Sequence, residues 1–191
     1  MDALVFDTGP LRHFAQAGWL GVLEEIVGER RAIAPTAVLA ELESTSHRFP
    51  EVIDAIDASW VTHYELSSYD EIAALAMFGE LLVSGRKNRG EAEVLALAAT
   101  LPAEAVIDDS TAFEVGKREG IACTRTLPLL CDAIHRELLS LDEVSDIADD
   151  LIMTDYRLPF EPGQFVQWAT DEGFLATPEY DSDSASTADA S

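Results

Sequence analysis

Four carboxylates stand at similar places along the chain, and together they could hold a metal ion. Each lies where an apolar segment gives way to a polar turn or to the start of a helix. The four residues are Asp7, Glu41, Glu91 and Asp109. In an α/β fold such points collect at one edge of the sheet, so these side chains could form a single acidic pocket. Ionised carboxylates repel one another unless a hard cation lies among them. The pattern therefore predicts a divalent-metal site, and with it chemistry on phosphate.

Polar neighbours of these acids could support such a site. Thr8 follows Asp7 directly, and its hydroxyl could orient a metal-bound water. Asp108 and Ser110 flank Asp109 at the end of another apolar run. Ser110 is also a plausible helix cap, and Asp108 could instead be one partner in a turn.

Each acid also has a plain structural interpretation. Asp7 precedes a Gly-Pro turn and could be a turn-former, and Glu41 could be a solvated helical position. Glu91 is at a helix start, where the helix dipole favours negative charge. Glu93 lies roughly 200° around the helix from Glu91, and we therefore assign it to the solvent side.

The elements that must position these residues alternate along the chain. Short apolar runs that predict strands alternate with helical segments, which is typical of a parallel sheet covered by helices on both faces. Pro10 is predicted to open the first helix and residues 44–49 to form a loop. The predicted strands are residues 3–6, 32–34, 60–62, 105–107 and 121–123. The fold class is therefore α/β.

The composition is strongly acidic, with 36 acidic residues against 12 basic ones and a net charge of −24. The C-terminal segment from Asp171 onward holds six of the acids and no base, so the rest of the chain still carries −18. One interpretation is an acidic protein that binds a basic partner. The other is a protein adapted to molar salt, where the Debye length falls to roughly 3 Å. The even spread of acids and the presence of only two lysines favour the second interpretation, a halophilic archaeon being the typical source.

The two cysteines, Cys123 and Cys131, favour packed thiols in a reducing compartment over a disulfide. We find no signal peptide, and no apolar run approaches the roughly 18 residues of a membrane span. We expect a cytoplasmic protein that does not enter membranes.

Five segments, in this order, resemble PIN-domain ribonucleases, the fold of VapC-type toxins, in the subgroup that opens with Asp-Thr-Gly-Pro-Leu. They are VFDTGPL, APTAVLAEL, RGEAEVLALA, VIDDSTAFEVGKREGI and TLPLL. The resemblance implies a three-layer sandwich with a central, mainly parallel sheet. It also implies that Asp7, Glu41, Glu91 and Asp109 are the catalytic, metal-binding acids. Arg125 departs from the pattern, because the resemblance predicts a glycine there.

The resemblance further implies an activity. Mg²⁺ or Mn²⁺ held by the four acids would activate water to hydrolyse RNA phosphodiester bonds, leaving 5′-phosphate and 3′-hydroxyl ends. A small antitoxin protein and a homodimer are expected by the same resemblance, as for a toxin of a type II toxin–antitoxin pair. The alternative is a PIN-fold module that binds nucleic acid or protein without catalysis.

RNA contacts are harder to find in so acidic a chain. Arg86, Lys87 and Arg89 form its one dense basic segment, just before Glu91, and could pair with phosphates. A solvated loop is the competing interpretation. No aromatic residues interleave with basic ones in the way that predicts base stacking.

For the domains, we expect a nuclease domain at 1–160, a helical extension at 161–177 and an acidic, disordered tail at 178–191.

Overall fold

The chain folds around a five-stranded sheet in the order β3-β2-β1-β4-β5, with every neighbouring pair parallel. The computed structural model describes residues 1–83 and 88–175. The strands are β1 (Ala3–Phe6), β2 (Arg31–Pro35), β3 (Val61–Tyr64), β4 (Ala103–Val106) and β5 (Cys123–Thr124). All five predicted strands are confirmed, although their bounds differ by a few residues. The predicted α/β class is confirmed as well.

Helices fill the connections, as parallel strands require. They are α1 (Thr8–Gln16), α2 (Leu20–Val27), α3 (Thr36–Ser46), α4 (Ile53–Ile56), α5 (Tyr69–Leu82), α6 (Arg89–Thr100), α7 (Ser110–Arg118), α8 (Thr126–His135), α9 (Leu141–Met153) and α10 (Phe165–Asp171), with a 3₁₀ turn at Pro50–Val52. Helix α6 packs against β1, β2 and β4, and α5 packs against α6. The result is a layered sandwich of helices and sheet.

The order of the strands creates a switch point at the centre of the sheet. From β1 the chain moves outward through β2 and β3, and then returns to place β4 on the other side of β1. In open α/β sheets, ligands bind at the carboxyl ends of the strands beside such a switch point. Asp7 follows β1 and Asp108 follows β4 closely, so both lie at this position. Topology thus brings together acids that are far apart in sequence.

Two predicted helix bounds were wrong. Helix α1 begins at Thr8 rather than at Pro10, because Asp7 already has the extended backbone of a residue that precedes a helix. Helix α3 continues to Ser46, through part of the predicted loop at 44–49. The hydroxyls of Thr45 and Ser46 donate to the carbonyls of Glu41 and Glu43, which satisfies acceptors near the end of the helix.

Close packing fixes one glycine. A Cβ at Gly116 in α7 would lie 2.6 Å from Cys123 Sγ and 2.8 Å from Leu95 Cδ2. Glycine therefore allows α7 to approach β5 and α6.

Cys123 and Cys131 are both free thiols, as expected, and burial raises the pKa of each to about 11.

The C-terminal part of the described chain packs onto the rest. Helix α10 contacts α9, and Phe165 and Ala169 are buried in the common core. The division into domains at residue 160 stays a prediction. The predicted tail at 178–191 lies outside the described residues. None of the helices in residues 1–83 and 88–175 has both the length and the apolarity needed to cross a membrane.

Candidate active site

Asp7 is a buried carboxylate with one unpartnered oxygen. It occupies the position before α1, but its side chain makes no capping hydrogen bond. Its side chain is only 7% exposed, and Oδ1 has no hydrogen-bond partner in the part of the chain that the structure describes. A hydrogen bond from the Thr8 backbone lowers the pKa of the Asp7 carboxylate, but Oδ1 is still left without a partner. The geometry therefore favours a role for Asp7 that needs a ligand.

Glu41 reaches the same place from α3. Thr8 Oγ1 donates a hydrogen bond of 2.6 Å to Glu41 Oε2, so the Thr8 hydroxyl is committed to this glutamate in the structure. The opposing wall is Gly90 in α6, where a Cβ would lie 3.4 Å from both Asp7 Oδ1 and Glu41 Oε1. These two oxygens can therefore be no more than about twice that distance apart. Glycine at position 90 keeps the space between them open.

The charges of these acids act on one another. Burial raises the pKa of Asp7 well above its ordinary value, and the charges of Glu91, Glu41 and Asp108 raise it further. Burial likewise raises the pKa of Glu91, with contributions from Glu41 and Asp109. The four predicted acids and Asp108 thus lie close enough to influence one another's ionisation.

Asp109 combines a structural contact with its place in the pocket. Its Oδ1 accepts a hydrogen bond of 2.9 Å from the Ala112 amide and so caps α7. The interpretation of Ser110 as the cap was therefore wrong, since Ser110 is the first residue of the helix. Asp109 itself is exposed, and its Oδ2 is not used by this cap.

Asp108 ties the pocket to the C-terminal half of the chain. Its Oδ1 accepts from the Thr126 amide at 2.9 Å, and its Oδ2 accepts from Thr126 Oγ1 at 2.7 Å and from the Tyr156 hydroxyl. Burial raises the pKa of Asp108, although the hydrogen bonds from Thr126 oppose that rise. With its oxygens engaged, Asp108 positions the loop after β4. Its supporting role stays a prediction.

A buried histidine, His13, lies behind this loop. His13 is 4% exposed and its ring stacks on Tyr156, with 4.3 Å between ring centroids. Arg12 Nη2 can only donate, so His13 Nε2 accepts and Nδ1 carries the proton shared with Thr154 Oγ1. This arrangement needs a neutral imidazole. Burial, followed by the Arg12 charge, lowers the pKa of His13 to about 4.

A groove of about 620 Å³ opens beside Thr8 and Glu41, and its lining includes Arg12, Arg89 and Glu93.

The assignment of Glu93 to the solvent side was wrong. Its Oε2 accepts a hydrogen bond of 2.8 Å from the Ala37 amide at the start of α3, because the face of α6 opposite Glu91 packs near α3 rather than against water. Arg89 is exposed at the first residue of α6, whereas Arg86 and Lys87 lie outside the described residues.

The donor set fits a hard divalent cation in its chemistry. Carboxylate oxygens are the ligands that Mg²⁺ prefers, and the unpartnered Asp7 Oδ1 and the gap at Gly90 leave room for one. Within residues 1–83 and 88–175, however, no three acid, histidine or cysteine side chains are already gathered at ligating distance. Binding would therefore require the carboxylates to move inward, against hydrogen bonds such as that from Thr8 to Glu41.

The five-stranded parallel sheet with its covering helices is consistent with a PIN-like α/β sandwich. A family profile described as a PIN domain matches residues 3–162, and the chain belongs to the PIN-domain family. PIN domains are in general nucleases and typically use divalent metals. No match was found among the curated proteins with which the chain was compared.

Proposed function

We propose that this protein is a metal-dependent endoribonuclease that hydrolyses RNA phosphodiester bonds. The observation that carries the proposal is the buried, unpartnered Asp7 Oδ1 among the carboxylates at the switch point. Leaving such a group without a partner is costly, and catalytic sites are places where this cost persists. Membership of the PIN-domain family supports the same interpretation.

In this proposal, Asp7, Glu41, Glu91 and Asp109 would hold Mg²⁺ or Mn²⁺, and the ion would supply an activated water and charge neutralisation at the phosphate. The chain's own residues do the positioning. Thr8 fixes the rotamer of Glu41, and the helix cap made by Asp109 holds its carboxylate at the pocket edge. Arg12 and Arg89, which line the adjoining groove, contact the phosphates of the bound strand.

Cleavage of RNA at high KCl with Mg²⁺ or Mn²⁺ tests the assignment. Asp7→Asn and Asp109→Asn are expected to lose at least about 100-fold in rate, since each removes charge from the ion site. Asparagine can still cap a helix, so Asp109→Asn keeps the contact with Ala112. Asp142→Asn on the exposed face of α9 is the matched control. Equal cleavage rates for the parent protein, Asp7→Asn, Asp109→Asn and the control would contradict the catalytic assignment.

The finer identity is a VapC-type toxin of a type II toxin–antitoxin pair from a halophilic archaeon. The motif order supports the toxin assignment, and the acidic, lysine-poor composition supports the source. A small antitoxin would cover the acidic pocket, with a basic side chain inserted among the carboxylates. Expression should arrest growth, and co-expression of a small protein encoded next to the gene should restore it. A homodimer is expected, and light scattering in KCl would measure it.

A non-catalytic PIN-fold binding module is the second candidate. Two observations favour it. Within the described residues, no three potential metal-ligating side chains are clustered, and Glu41 and Asp109 already accept hydrogen bonds from the protein. It predicts no rise in melting temperature with Mg²⁺, whereas the nuclease proposal predicts a rise that Asp7→Asn removes.

A further inference from the structure

A second groove opens next to Asp108 and Ser110. Its volume is about 700 Å³, within the range of roughly 300–1,000 Å³ that ligand sites occupy. Three cations and four aromatic rings line it, and we call it the aromatic–basic groove. These residues are Lys117, Arg125, Arg157, Phe113, Tyr156, Trp168 and Phe174.

The charge of this groove differs from that of the chain. Acids outnumber bases three to one overall, whereas the groove holds three cations against Asp108, Glu114 and Glu172. Among the described residues, none of these cations lies at ion-pair distance from a carboxylate; the two ion pairs found there involve Arg118 and Arg136. Cations left unpaired in so acidic a protein are available to an anionic ligand.

Two of the cations are held in place by an aromatic ring. The Arg125 guanidinium lies 4.3 Å from the centre of the Phe113 ring, and Lys117 Nζ lies 5.6 Å from the same centre. Such stacking fixes the charges without neutralising them. The Arg125 Nε is buried and has no hydrogen-bond partner within the described chain. Arg125 also stands where the family resemblance predicts glycine, so this cation is a departure of this particular chain.

The outer wall is a group of packed aromatic rings. Trp168 is half-buried and packs against Phe160 and Phe174, with ring centroids 5.3 and 5.5 Å apart. Aromatic rings that line a basic groove are the surface on which proteins stack the bases of single-stranded nucleic acid. The rings and cations do not interleave along the sequence, and they meet only in the folded chain, from α7, α10 and the segments around them.

We propose that the aromatic–basic groove binds a single-stranded stretch of RNA next to the cleaved phosphodiester. Lys117, Arg125 and Arg157 contact phosphates, and a base stacks on Trp168. The groove reaches the chain on both sides of Asp109, since Asp108 and Ser110 line it. The position relative to cleavage rests on the proposed function, whereas the binding itself does not.

Binding of a labelled ten-nucleotide RNA, followed by fluorescence anisotropy in an Asp7→Asn background with Mg²⁺, tests the proposal without cleavage. The variant is Lys117→Gln with Arg157→Gln, and the control is Arg31→Gln with Arg118→Gln. All four residues are exposed, and both pairs change the net charge equally. The groove pair is expected to weaken binding at least tenfold and to reduce the slope of log affinity against log salt by about 1.4. The control pair should change affinity less than twofold.

Trp168 provides a second measurement that does not depend on charge. Replacing Trp19 and Trp60 by phenylalanine leaves it as the one tryptophan of the chain's three. The same RNA should quench its emission, with saturation at the anisotropy Kd.

Equal binding by the groove pair and the control pair, or unchanged Trp168 emission at saturation, would overturn the proposal and leave the groove to a protein partner. These outcomes are separate from failure of the nuclease assignment. If RNA binds through the groove but the parent protein never cleaves it, only the nuclease proposal is contradicted. If a protein with the groove pair of substitutions and an intact Asp7 cleaves RNA at the full rate, only the groove proposal is contradicted.

Discussion

Replacing Asp7 by asparagine is expected to stabilise the metal-free protein while it removes catalytic function. Asp7 is buried, its Oδ1 has no partner among the described residues, and its pKa is raised first by burial and then by Glu91. The ionised form therefore opposes folding at neutral pH. Asparagine keeps the shape of the side chain and removes its charge.

The size of the effect follows from the geometry around Gly90. Asp7 Oδ1 and Glu41 Oε1 would each lie 3.4 Å from a Cβ placed on Gly90, so no more than about twice that distance separates them. With an effective dielectric constant of about 20, two unit charges at that distance repel by about 2 kcal/mol. For a chain of this length, 1 kcal/mol corresponds to roughly 2–4 °C in melting temperature, so the expected gain for Asp7→Asn is about 4–8 °C.

Thermal unfolding at pH 7.5 in KCl with a chelator measures this gain. Asp142→Asn on the exposed side of α9 is the control for removing one charge from an acidic chain, and it should change the free energy of unfolding by less than about 0.5 kcal/mol. Because the folded pKa of Asp7 is raised, its penalty grows as the pH rises above the ordinary value of 3.8 and vanishes below it. The advantage of Asp7→Asn should therefore disappear in acid.

A lower melting temperature for Asp7→Asn than for Asp142→Asn at neutral pH would refute this reasoning. It would mean that the Asp7 carboxylate makes a favourable structural interaction. Mg²⁺ gives an independent check, since it should raise the melting temperature of the parent protein more than that of Asp7→Asn.

Three further predictions concern the framework around the site. Gly116→Ala should lower the free energy of unfolding, measured in urea, by about 1–3 kcal/mol, because its Cβ would meet Cys123 Sγ at 2.6 Å. The control is Gly79→Ala in α5, where a Cβ meets nothing within 4 Å. This control should raise the free energy of unfolding by roughly 0.5–1 kcal/mol. The pKa of His13 is about 4 in the folded protein, against an ordinary value of 6.5, so the free energy of unfolding should fall by about 3 kcal/mol as the pH falls from 7 to 4. Urea titrations of His13→Asn at both pH values should not show that loss. Asp109→Ala should cost about 1 kcal/mol through the lost cap, whereas Asp109→Asn should cost little; equal costs in urea would contradict the capping role.

Much of the fold was predictable because each strand is a short apolar run that ends at a polar residue. The same property marked Asp7 and Asp109, since the ends of parallel strands meet at one edge. Helix faces were less predictable. Glu93 was assigned to water because its angle from Glu91 was known, but which helix lay on that side was not.

The sequence by itself determined the order of strands and helices, the acidic surface, the family and the chain positions of the four acids. Tertiary structure alone decided what those acids meet: the glycine gap at Gly90, the Thr8 hydroxyl on Glu41 and the tether from Tyr156 to Asp108. It also assembled the aromatic–basic groove from α7, α10 and the segments around them. The reason is physical. Periodicity along a chain fixes which residues share a face, whereas only the packing of whole elements fixes which faces meet.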